Sequence, residues 1–198
     1  MQNSISRNVA ATIALLFSAS AFADAGSIEV SAGLAWVNGG NVESPVLNAQ
    51  ADNNVTPAIT ITYYATKNIA LSSEAGISRH EFHNATGNLG KASIIPANVT
   101  AQWHFAPDGN VDPYLGVGFN YCFFTNQTGA LGTLEHIDPT LGGVLQLGAN
   151  IATGNKWFAN VDYKHLWIRP DLVAPGGGKI EQINLDPDIV TLSFGMRF

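Results

Sequence analysis

Alternation with a period of two runs through nearly the whole chain after the first two dozen residues, and it constrains the fold more than any other feature. Successive side chains of a strand point to opposite faces, so this period describes strands with two chemically different sides. In the first run Ile28, Val30, Ala32, Leu34 and Trp36 share one face, and Glu29, Ser31, Gly33 and Ala35 the other. A second run sets Ile59, Ile61 and Tyr63 against Thr60, Thr62 and Tyr64. The third sets Ile69, Leu71, Ser73, Ala75 and Ile77 against Ala70, Ser72, Glu74, Gly76 and Ser78. Residues 95–105, 114–123, 141–151, 157–167 and 189–198 repeat the pattern, which predicts eight strands.

The connections alternate in length. Short turns follow the second, fourth and sixth strands, and long loops are expected at Val37 to Thr56, Arg79 to Ser93, Thr125 to Asp138 and Arg169 to Gln182. Short turns on one side and long loops on the other are the asymmetry of an outer-membrane barrel. Aromatic residues sort to strand ends, with Tyr63, Trp103, Phe105, Trp157 and Phe198 at one level and Trp36, Phe123 and Trp167 at the other. Amphipathic rings favour the two bilayer interfaces.

A soluble ligand-binding barrel carries the same period with its faces exchanged. Here the face opposite the apolar one is crowded with glycine and small polar residues and carries Glu74, Asp162, Lys164 and Arg197, a composition suited to a narrow hydrated lumen. Lipid is therefore expected outside. No stretch after residue 23 reaches the roughly 18 to 20 unbroken apolar residues of a membrane helix, so a membrane crossing must be made by strands.

Residues 1–23 read as an address: Arg7 precedes an apolar run from Val9 to Phe17, and Ala21-Phe22-Ala23 supplies a small-residue cleavage site. A cleaved signal peptide, with the barrel domain spanning 24–198, is the expectation; a retained anchor is the alternative. Without this segment the net charge moves from -6 to -7, because Arg7 is its only charged residue, and nucleic acid is excluded as a partner. The single cysteine, Cys122, leaves no internal disulfide, so it reads as a buried or lipid-adjacent small residue.

Four segments then carry a family resemblance: Ile61-Thr62-Tyr63 through Asn68-Ile69; Pro96 through Ala101-Gln102-Trp103-His104-Phe105; Pro113 through Tyr121; and Leu185-Asp186-Pro187 through Gly195-Met196-Arg197-Phe198. They resemble the OmpW family of eight-stranded outer-membrane proteins, which includes the AlkL type. The resemblance implies an all-β, antiparallel, up-and-down transmembrane barrel in the outer membrane that passes small hydrophobic molecules, taken in at an apolar outer funnel and released sideways through the wall. Outer-membrane lipid and lipopolysaccharide, and the barrel-assembly machinery acting on the strand ending at Phe198, are the implied partners. Phe82, Leu89, Phe124, Leu131, Leu134 and Leu172 are the funnel candidates. Pro96 lacks the N–H that a ladder needs, so it marks either a lateral exit or a tolerated bulge. Glu74 and Lys164 stand where the family resemblance implies apolar constriction residues; they either pair as an ionic plug or sit apart in water.

No catalytic constellation is evident. His80-Glu81-Phe82-His83 is not the helical zinc motif and falls in an expected loop, His136 and Asp138 have no nucleophile partner, and no G-x-S-x-G occurs. Gly176-Gly177-Gly178 lacks the following Lys-Ser/Thr of a phosphate loop. Neither metal nor cofactor is expected. An adhesive or structural barrel with a filled lumen and surface-binding loops is the competing reading; a connected apolar cavity argues for transport, and protruding paired strands without one argue for adhesion.

Overall fold

The computed structural model describes residues 24–39, 41–42, 49–84, 87–129 and 136–198. The address segment 1–23 and the funnel candidates Leu131 and Leu134 lie outside the described residues. Among the described residues there are fourteen strands: β1 (Ile28–Asn38), β2 (Asn41–Val42), β3 (Ala49–Ala51), β4 (Asn54–Tyr64), β5 (Ile69–Gly76), β6 (Ser78–Asn84), β7 (Gly87–His104), β8 (Val111–Thr125), β9 (His136–Ile137), β10 (Thr140–Ala152), β11 (Trp157–Trp167), β12 (Asp171–Val173), β13 (Lys179–Gln182) and β14 (Asp188–Arg197). Among the described residues no helix is long and apolar enough to cross a membrane.

The wall is one antiparallel sheet in the order β5, β4, β1, β14, β11, β10, β8, β7, with β7 also pairing β5 and so closing the ring. With β6 continuing the line of β5 above Ile77, eight staves make a closed barrel. First and last staves lie side by side, from Glu29↔Arg197 to Asn38↔Asp188. Closure removes the free strand edges that would otherwise have unpaired N–H and C=O groups in lipid.

The faces are sorted inside out relative to a soluble protein. Leu34, Ile59, Phe119, Leu141 and Leu192 are all more than half exposed on the outer surface, whereas Glu74, Asp162 and Lys164 are buried inside. An apolar belt of this extent needs lipid, not water, around it. Trp36, Trp103, Trp157, Trp167 and Tyr63 are exposed at its two rims. Inward glycines leave room for large polar side chains: a Cβ on Gly148 would stand 2.5 Å from the ring of Tyr114, the residue opposite it on β8.

The long loops differ from expectation. The stretch from Arg79 to Ser93 is an extension of two staves, β6 pairing β7 from Ser78↔Ile94 to Asn84↔Gly87. His80, Glu81, Phe82 and His83 therefore sit on a strand rather than in a loop. Charge and polarity disguise the strand above the membrane, where both faces meet water or protein and alternation carries less information. Across the mouth, β12 pairs both β13 and β9, and β2 and β3 add to the edge of β6.

Candidate functional site

Inward residues at successive even steps along each stave stack into layers, and the lumen has three. Nearest the end where Ile28 and Phe198 meet, Arg197 donates from Nε to Glu29 Oε1 at 2.8 Å. Its guanidinium lies over the Tyr64 ring, 5.6 Å from the centroid, and Asn150 Nδ2 donates to Glu29 Oε2 at 3.2 Å. His104 Nδ1 lies 2.7 Å from Asp112 Oδ2 in the same region. A buried ion pair is tolerable only when its remaining lone pairs and protons find partners, and Asn150 and Tyr64 are such partners.

In the middle layer Lys164 Nζ donates to Glu74 Oε2 at 2.9 Å and also to Asp162. The lysine and both acids are buried. Tyr114 Oη and Gln146 Nε2 each donate to Asp162 Oδ2 at 2.6 Å, and Thr60 Oγ1 donates to Glu74 Oε2 at 3.2 Å. Thr100 and Gln102 bond in turn to Gln146 Oε1, at 2.6 and 3.1 Å. One ammonium thus bridges two staves on opposite sides of the barrel, and hydrogen bonds tie the side chains of several staves into one network around it. Below it lies a polar chamber of about 320 Å³, open space included, bounded by Glu29, Thr62, Ser72, Asn160 and the Glu74–Lys164 layer.

Above the same layer the lumen becomes apolar. A cavity of about 450 Å³, open space at its mouth included, is lined by Val37, Ile94, Pro96, Leu166, Ile168 and Ile189, with Leu185 and Pro187 above. Ser78 and His80 also line it. His80 Nδ1 lies 2.7 Å from the Asp52 carbonyl oxygen, which requires that nitrogen to donate, and its Nε2 meets Ser78 Oγ. Both ring nitrogens are thereby occupied by protein.

The wall of this cavity contains a break. Pairing between the third stave and β7 stops at Ala75↔Ala97 and resumes at Ser78↔Ile94, so Gly76 and Ile77 face Ile95 and Pro96 without a ladder partner. On the other side, pairing with β4 ends at Ala58↔Gly76. Side chains replace the ladder there: Thr56 Oγ1 donates to the Ile77 carbonyl and Asn54 Nδ2 to the Arg79 carbonyl. Pro96 both borders this break and lines the cavity.

The remaining candidates are placed as follows. Arg197 does not join Glu74, Lys164 and Asp162; it belongs to the layer below, with Glu29. Barrel closure supplies the missed signal, since Glu29 and Arg197 sit at the facing ends of the first and last inward rows. Phe82 and Leu172 are buried in the apolar cluster that also holds the cavity-lining Val37, Leu166, Ile168 and Ile189, and Leu89 and Phe124 pack against it. None of these four lines the cavity. These four therefore belong to the apolar cluster that surrounds the cavity rather than to its lining. Paired strands and an apolar cavity also occur together, so the pairing alone does not select adhesion.

A closed eight-stranded barrel with a lipid-compatible belt and a polar interior defines the outer-membrane barrel class. The OmpW family model matches residues 21–198, and the chain belongs to that family. Outer membrane protein W of Salmonella typhi is 31% identical over 96% of this chain and 97% of its own length. Outer membrane protein AlkL of Ectopseudomonas oleovorans is 25% identical over 82% and 73% respectively. In structure the chain is similar to OprG of Pseudomonas aeruginosa (TM-score 0.75, 17% identity, 91% of this chain and 99% of that one). It is also similar to the E. coli outer membrane protein W (TM-score 0.63, 26% identity, 88% and 99%).

Proposed function

We propose that this outer-membrane barrel is a channel for passive uptake of small hydrophobic molecules, which enter the apolar cavity from outside and leave sideways into the membrane. The observation that carries this reading is the coincidence of cavity and wall break at Pro96. Straight passage is opposed by the Lys164 layer: an apolar molecule gains nothing from a region whose groups are already hydrogen-bonded, and separating the ions in a site of low dielectric is costly. At the break, parting the staves disrupts few backbone hydrogen bonds, because Pro96 has no N–H to offer. The chain reaches its place by export, with cleavage after Ala23 giving a mature N-terminus at Asp24, and N-terminal sequencing of the membrane-inserted protein tests that step. Assembly acts through the strand that ends at Phe198, and lipopolysaccharide surrounds the outer rim.

The test of the lateral route is reversible. In a Cys122→Ala background, Ile77→Cys with Ile95→Cys places a cysteine on each side of the break. Oxidation to the disulfide should lower alkane uptake by cells carrying the protein, and reduction should restore it. Uptake indifferent to the cross-link excludes the lateral route, and uptake equal with and without the parent protein excludes transport in favour of the adhesive barrel.

A further inference from the structure

The floor of the apolar cavity is polar, and two of its buried atoms have no partner. Four cavity-lining residues, Ser78, Pro96, Leu166 and Ile189, are each followed two steps deeper on the same inward face by Gly76, Asn98, Lys164 and Thr191. Asn120 stands beside Asn98 in register and donates to it from Nδ2 at 2.7 Å. Asn120 Oδ1 and Thr191 Oγ1 are, among the described residues, the buried side-chain polar atoms without a hydrogen bond. A buried polar atom without a partner is destabilising, and native proteins rarely keep one. Two in the level one inward step below the lining residues of the apolar cavity mark a place where a ligand can supply what the protein does not.

Resting on the uptake reading above, we propose that the cavity selects neutral amphipathic molecules, an apolar chain or ring ending in a hydroxyl, over plain hydrocarbons and over carboxylates. The cavity wall takes the apolar body. A hydroxyl reaching this level donates its one hydrogen to the Asn120 amide oxygen or accepts from the Thr191 hydroxyl, whereas a hydrocarbon leaves both unmatched. Carboxylates are disfavoured for a separate reason: Lys164 is already shared by Glu74 and Asp162, so this layer carries one more negative charge than positive, and the Asn120 oxygen repels an anion. The neutral hydroxyl is the end group that meets no opposition.

Three radiolabelled probes of equal chain length test this, dodecane, dodecan-1-ol and dodecanoate, each scored as the initial uptake rate of cells carrying the protein above that of cells lacking it. The parent protein should favour the alcohol over the alkane by about threefold to tenfold, the range one neutral hydrogen bond provides, with dodecanoate lowest. Thr191→Val and Asn120→Leu should each bring the alcohol-to-alkane ratio toward unity, while Thr191→Ser keeps it. Far-ultraviolet circular dichroism establishes that each variant is folded, and the isosteric Thr191→Val carries the test if Asn120→Leu does not fold. A parent ratio at or below unity overturns the selectivity and leaves uptake standing, as does a ratio that Thr191→Val does not move. Absence of any increment with all three probes removes the uptake reading itself.

Discussion

The two halves of the lumen are built from the same eight inward rows and solve opposite problems. Toward the chain termini the inward rows are mostly polar, and the solution is saturation: Glu29 with Arg197, His104 with Asp112, and Lys164 with Glu74 and Asp162, cross-linked by amides and hydroxyls. Toward the hairpins the rows turn apolar, and the solution is to leave space, with Val37, Leu166, Ile168 and Ile189 around a cavity. Eight strands enclose an interior that side chains can fill. This chain cross-links one half with hydrogen-bonded polar groups and lines the other with apolar ones, which makes the boundary layer at Glu74 and Lys164 the decisive one.

The largest expected effect comes from breaking that boundary. Lys164→Met leaves two buried carboxylates without their cation and should destabilise the barrel by about 3–5 kcal/mol, measured by urea unfolding in lipid vesicles. Converting the whole triad (Lys164→Met, Glu74→Leu, Asp162→Asn) should recover most of that loss, since no unpaired charge remains; failure to recover would show that the network does more than neutralise charge. Next is the apolar half: Leu172→Ala removes a buried side chain from the cluster that supports the cavity and should cost about 2–4 kcal/mol, while leaving the terminal half protected in hydrogen exchange. Smaller still is a reactivity difference, in which buried Cys122 resists a membrane-impermeant maleimide in the folded barrel and reacts on unfolding. The smallest lies on the exposed hairpin. Hydrogen bonds from Lys91 and Asn88 hold the Glu81 carboxyl below its usual range, so their contribution is present at neutral pH and lost only as pH falls through that lowered value. A side-chain NMR titration should show the depressed midpoint, and Lys91→Met should raise it.

Legibility in the sequence follows the environment each residue meets. Between the two rims one face sees lipid and the other the lumen, and there the alternation names every stave and its facing correctly, as Val30 to Leu34 and Leu192 to Phe194 illustrate. Above the rim that contrast vanishes, and Arg79 to Ser93 reads as a loop although it is a paired hairpin. The cavity suffers from the same loss: Phe82, Leu89, Phe124 and Leu172 are conspicuous apolar residues in polar surroundings, yet His80, Ile94 and Leu166 line the space. Pro96 was legible as a residue that cannot join the ladder, because that property is covalent. Its partner in the break, Ile77, was not, because nothing local to Ile77 prevents pairing.

By itself the sequence determined the barrel, since a period of two with lipid-compatible and lumen-compatible faces leaves no other closed arrangement of strands that satisfies the backbone in a membrane. It also determined which residues point inward. Which inward residues meet was decided by tertiary structure alone. Register and closure bring Glu29 to Arg197 across a sequence separation of 168 residues, carry Lys164 across the lumen to Glu74, and leave Asn120 and Thr191 unmatched. Partnership across a ring depends on the positions of all the staves at once, and no local pattern encodes it.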